Sequence, residues 1–140
     1  MHSYHVRHEW DEASQIVMNG LKAFNSSFVG SSDERKLSVI VRNDQDAVIG
    51  GLLGQTTWGW MYIGWVWVEE AQRNRGIGRT LMAKAESAAR ELSCHHAHLT
   101  TLDFQARGFY ESLGYEVFAT LDDYPQGHQR FLMKKALSAA

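Results

Sequence analysis

The stretch Arg73-Asn74-Arg75-Gly76-Ile77-Gly78-Arg79-Thr80 constrains the fold more than any other part of the chain. It joins an apolar, aromatic run at residues 61–68 to an amphipathic segment at residues 80–92. The order is strand, glycine turn, helix. Gly76 and Gly78 allow backbone angles and close approaches that a Cβ would block. The first turn of the following helix carries N–H groups with no intrahelical partner, and its dipole favours negative charge. Strand, turn and helix N-terminus together make a phosphate cradle. Two familiar phosphate motifs do not fit it. A dinucleotide fingerprint needs a third glycine where position 81 is Leu, and a P-loop needs Gly-Lys followed by Ser or Thr, which the chain lacks.

The flanks support an α/β reading. Residues 61–68 are apolar on both faces, as in a central strand covered on both sides. If that strand is regular, Trp60, Tyr62, Gly64, Val66 and Val68 share one face, and Met61, Ile63, Trp65 and Trp67 the other. Its tryptophans suit core packing or an aromatic wall beside a ligand cleft. Leu81, Met82, Ala85, Ala88, Ala89 and Leu92 form a stripe of helical period, and residues 97–102 alternate as a strand. A strand, helix, strand unit with right-handed crossover results. Upstream, residues 4–9 alternate loosely and predict an edge strand. Asp11 is the expected N-cap of a helix carrying Ile16, Val17, Leu21 and Phe24. Residues 25–33 are polar, with Gly and Ser, and read as a loop. Residues 37–42 and 48–57 predict a hairpin, with Gly50, Gly51 and Gly54 marking a twist or a close backbone approach. Downstream come a short helix at 105–113, a strand at 115–121, a long turn holding the only proline, and a last strand at 129–135.

Composition narrows the function. At 140 residues the chain is expected to form one domain, 1–140, with a proper core. A formal charge of −2 argues against a nucleic-acid partner. The lone Cys94 excludes an intrachain disulfide and fits a reducing, cytoplasmic setting. The first residues show no signal pattern, and no apolar run approaches a membrane span, so no membrane partner is expected. The run Cys94-His95-His96-x-His98 matches no zinc spacing, so no metal is expected, and Cys94 reads as a structural thiol.

Arg73-x-x-Gly76-x-Gly78 resembles the pyrophosphate-binding motif of the GNAT N-acetyltransferases. About 30 residues on, Ala106-x-x-Phe109-Tyr110-x-x-x-Gly114-Tyr115 is similar to a second motif of that family. The order of elements also resembles the GNAT fold, a central mixed and twisted β-sheet flanked by helices. The resemblance implies transfer of acetyl from acetyl-coenzyme A to a primary amine by direct attack in a ternary complex. The alternative is a non-catalytic domain that binds or senses acyl-coenzyme A. Family habit points to a homodimer.

The resemblance also implies site residues. Arg73, Asn74, Arg75, Gly76, Ile77, Gly78, Arg79 and Thr80 would hold the pyrophosphate through backbone N–H groups and arginine charge. Val66, Trp67 and Val68 would pair with the pantetheine after a bulge in the central strand, and a backbone N–H there could stabilise the oxyanion. Phe104 and Asp103 fall at the cofactor's edge. The family often carries Asn at the position of Asp103, and Asp lacks the amide donor. Tyr110 matches the family's general acid. For the base, Glu69 and Glu70 end the central strand, with Asp103, Asp122, Asp123 and His128 as further candidates. These acids suggest a cationic small amine as acceptor, with a peptide amine as the other option.

Overall fold

In a computed structural model, which describes residues 1–137, six strands pair into one sheet. They are β1 (Arg35–Arg42), β2 (Val48–Thr57), β3 (Trp60–Val68), β4 (His96–Leu102), β5 (Glu116–Asp122) and β6 (Gln129–Ala136), and their spatial order is β1-β2-β3-β4-β6-β5. Every neighbouring pair is antiparallel except β3 and β4. That parallel pair is joined by α2 (Ile77–Glu91), the crossover that parallel strands require. β2 and β3 turn at Trp58-Gly59, whose φ angles of 48° and 80° are those of a tight hairpin turn.

The core lies on one face of the sheet. Leu81, Met82, Ala85 and Ala89 of α2 are buried there against Leu52, Met61, Ile63, Ala97, Leu99 and Met133. Each large side chain so buried contributes about 2 kcal/mol. α3 (Arg107–Ser112) joins the same face. Its Phe109 packs on Gly78, where an added Cβ would lie 3.3 Å from the ring, and Arg107 stacks over Phe131. A buried carboxylate braces this layer. Glu86 accepts from the Tyr115 hydroxyl and from Lys135 Nζ, each at 2.8 Å. Burial, with the Glu86 charge beside it, pushes the Tyr115 hydroxyl far above its ordinary pKa.

The strand faces differ from the regular alternation expected of β3. Its register with β2 slips between Leu53 and Gly54, so that Leu53 pairs with Trp65 and Gly54 with Ile63. Gly64 is the extra residue of a β-bulge. Met61 and Ile63 therefore share the core face with Val66 and Val68, while Trp65 and Trp67 turn to the side of Trp60 and Tyr62. Gly54 permits the slip, since a Cβ there would lie 2.6 Å from the Tyr62 carbonyl oxygen.

Chain contacts divide the protein into two units, Met1–Ser32 and Asp33–Ala140. The first holds α1 (Glu12–Val29). Asp11 caps it, accepting from the N–H groups of Ala13 and Ser14, while Ser14 Oγ accepts from the Asp11 N–H. The helix runs through residues expected to be loop. Ser26 and Ser27 hydroxyls bond back to the Lys22 and Phe24 carbonyls, and Gly30, at φ 75°, closes the helix. Residues 4–9 form no strand. Arg7 pairs with Glu9 and Asp11 within this segment.

Candidate active site

The bulge opens a cleft. β3 and β4 pair only from Trp60↔His96 to Ile63↔Leu99. Beyond Gly64 the two strands carry no ladder between them. The cleft holds about 810 Å³ and is lined by Tyr62 to Val68 on β3, by Thr100 and Thr101 on β4, and by Arg73, Phe104, Gln105, Ala106, Tyr110 and Arg130. Val66, Trp67 and Val68, expected along a bound pantetheine, all lie on its wall.

The turn before α2 stands at one edge. Arg73 Nε donates to the Val68 carbonyl at 2.9 Å, which anchors the turn to the strand that it leaves. Asn74 and Gly76 both adopt positive φ, 63° and 80°, and Gly76 is the N-cap. The Thr80 N–H and hydroxyl both reach the Gly76 carbonyl, at 3.1 Å each. The N–H groups of Ile77, Gly78 and Arg79 have no intrahelical acceptor and point out of the helix end. Arg75 and Arg79 are exposed; Arg79 reaches Ser112 Oγ of α3 at 3.3 Å, and Arg75 reaches Gln72. This cradle suits the diphosphate of a coenzyme.

Tyr110 lines the cleft from α3 and is 8% exposed, and burial raises its pKa. The phenol is therefore protonated at any physiological pH and available to donate. Thr101 and Gln105 fix the start of α3. Gln105 Oε1 accepts from the Leu102 N–H at 2.7 Å, and Thr101 Oγ1 accepts from the Ala106 N–H at 3.4 Å.

Other expected residues stand apart. Glu69 and Glu70 are exposed beyond the end of β3, where Glu70 opens a single 3-10 turn, and neither lines the cleft. The Asp103 carboxylate is engaged by the Gln129 N–H at 2.9 Å and by His128 Nδ1 at 2.8 Å, contacts that hold its pKa below the ordinary value. It closes the β5–β6 loop onto the end of β4. Phe104, next in the chain, lines the cleft and packs edge-on against His128. His96 stacks on Trp60, and His98 lies against Trp60 and Tyr62. Among the described residues no group of three or more His, Cys, Asp or Glu could hold a metal. Burial raises the Cys94 pKa, so that thiol is inert.

A second recess of about 580 Å³ adjoins the cleft and shares Tyr62, Gly64 and Trp65 with it. Its other walls are Lys36, Leu37, Ser38, Leu53, Gly54 and Gln55. Sequence reading missed this recess, together with Thr100, Thr101, Gln105 and Arg130. The signals for it were glycines inside strands, Gly54 and Gly64, both of which line the recess.

A model of the family described as "Acetyltransferase (GNAT) family" matches residues 4–115. The chain belongs to the GNAT family. Among relatives of this GNAT protein, "Acetyltransferase Atu2258" of Agrobacterium fabrum is 36% identical over 124 residues, covering 89% of this chain and 90% of that one. "Blasticidin-S acetyltransferase" of Streptomyces morookaense is 39% identical over 95 residues, covering 67% and 70%. In fold, the crystal structure of an acetyltransferase from Bacillus cereus superposes with a TM-score of 0.88 at 26% identity, covering 96% of this chain and 98% of that one. The GNAT protein is thus an acyltransferase of a family that uses acetyl-coenzyme A, and its open mixed sheet is the GNAT sheet. Among the described residues no helix is long and apolar enough to cross a membrane.

Proposed function

We propose that this GNAT protein transfers acetyl from acetyl-coenzyme A to a primary amine by direct attack, with both substrates bound together. The observation that carries this reading is the end of the β3–β4 ladder at Ile63↔Leu99, beside Tyr110 and Arg73 on one cleft wall. The backbone of Val66, Trp67 and Val68 would pair with the pantetheine, and the N–H groups of Ile77, Gly78 and Arg79 would hold the diphosphate, with Arg73 and Arg75 adding charge. Phe104 would pack beside the coenzyme, while Asp103 would act on it only through the loop that it fastens. As the N–C bond forms and the C–S bond breaks, Tyr110 gives its proton to the departing thiolate. The amine's proton leaves through water, with exposed Glu69 or Glu70 as its eventual acceptor. An alkyl ammonium has a pKa of ~10.4 and must lose this first proton before attack. The second proton, shed by the nitrogen as the amide forms, returns through water to the Tyr110 phenolate.

A small molecule is favoured over a peptide as the acceptor, because one relative is named for blasticidin S. A homodimer is supported by family habit alone. The second reading, a non-catalytic sensor of acyl-coenzyme A, gains nothing from relatives that carry the names of enzymes. The test is calorimetric binding of acetyl-coenzyme A followed by thiol release against a panel of amines. Binding with turnover supports the transferase, and binding without turnover on any amine returns weight to the sensor.

A further inference from the structure

Arg130 lines the cleft from β6. Strand alternation puts it on the face of the sheet opposite α2. Its neighbour Phe131 belongs to the core on the α2 side, and its partner Thr100 stands between Leu99 and Thr101, both buried. The guanidinium is held in place. Arg130 Nη1 donates to Thr100 Oγ1 at 3.2 Å, and Cζ lies 4.1 Å from the Tyr124 ring centre. Its Nε–H is buried with no hydrogen-bond partner. The carboxylates at hand are committed elsewhere. Asp122 accepts from Gln129 Nε2 at 2.9 Å, and Asp103 is tied to His128 and the Gln129 N–H. Among the described residues none forms an ion pair with Arg130.

A stacked guanidinium that lines the cleft with no counter-charge is costly unless a ligand supplies acceptors to its remaining N–H groups at the fork. Its planar fork matches an oxyanion. We propose that Arg130 binds a carboxylate carried by the acceptor, so that the substrates are amines bearing a carboxylate, such as amino acids. This inference rests on the transferase reading above. A phosphate of the coenzyme is the other oxyanion at hand, but its cradle at the start of α2 lies on the opposite face of the sheet. The acid-rich turn at residues 122–128 had suggested a cationic acceptor. Asp122 is occupied by Gln129 and Asp103 by His128, and the charge that lines the cleft is positive.

The test pairs each of a set of L-amino acids with its own carboxamide, measured by thiol release and by calorimetric titration into the protein–coenzyme A complex. The wild type should prefer acid over amide by about 10- to 100-fold, the loss expected of one charged hydrogen-bonded contact. Arg130→Gln should remove that preference and leave acetyl-coenzyme A affinity intact, and Arg130→Lys should restore part of it. Thr100→Val, which frees the guanidinium without removing it, should weaken the preference and serves if Arg130→Gln fails to fold. Equal use or equal binding of acid and amide by the wild type, or no binding of either, overturns the proposal. So does loss of acetyl-coenzyme A affinity in Arg130→Gln, which would assign the arginine to a phosphate. Preferential binding of the acids without thiol release would keep the carboxylate site and sink the transferase reading instead.

Discussion

Tyr110 was legible as a motif residue, but its burial was not. A tyrosine on a short helix reads equally as core or as acid, and the structure packs it against Phe109 and Tyr115 while leaving it on the cleft wall, where the proposed acid would stand. Tyr110→Phe should lower kcat by about 100-fold or more, in the range of lost general acid catalysis. The KM for acetyl-coenzyme A should change little. Steady-state kinetics checks this, and an unchanged kcat would return Tyr110 to packing alone. The pH dependence has a definite sign. Tyr110 and Tyr115 both have folded pKa values raised above the ordinary phenol value by burial. Their contribution to stability is full below pH ~10 and is lost as pH rises from there towards the folded values. Urea midpoints should therefore fall above pH ~10, and Tyr115→Phe should flatten that fall. The same variant removes a donor from buried Glu86 and should cost about 1–3 kcal/mol at neutral pH, read by urea denaturation.

At the scale of elements, the strands and helices of the second unit were largely readable. The helical stripe from Leu81 to Ala89 and the alternation of β4 are periodicities that no tertiary context overrides. The bulge in β3 was different. Regular alternation would have put Trp65 with Met61 and Ile63, and the one-residue slip at Gly64 reverses that. Such a slip is set by the neighbour strand, since Gly54 is where β2 can let the Tyr62 carbonyl approach. Gly54→Ala should destabilise the protein by roughly 1–3 kcal/mol, the usual cost of overpacking. It should also weaken acetyl-coenzyme A binding, because the cleft begins at that bulge. Thermal melting and calorimetry on one preparation would show both losses, and normal affinity in a destabilised protein would separate the bulge from the site. α1 carries the converse lesson. Residues 25–33 were read as loop, yet serine hydroxyls bond back within the helix and α1 runs intact to Val29.

For the whole molecule, ligand linkage supplies the broadest check. Acetyl-coenzyme A at 100 times its Kd should stabilise the folded state by about 2.7 kcal/mol. For a chain of this length, that is a rise in Tm of several degrees in a melting experiment. Absence of any rise would contradict the cleft as a coenzyme site. Sedimentation of the wild type checks the proposed homodimer; a monomer would refute it. The sequence by itself determined the family, the strand, glycine turn and helix at Arg73–Thr80, and the motif position of Tyr110. Each of these is local: short-range periodicity, backbone freedom at glycine and a helix end with unpaired N–H groups are written into consecutive residues. Tertiary structure decided the rest. Where the β3–β4 ladder stops, which side the tryptophans face, that Asp103 is spent on His128 and Gln129, and that Arg130 is left facing the cleft without a counter-charge all depend on residues far apart in the chain. Their partners are chosen by strand register and packing, which local pattern does not encode.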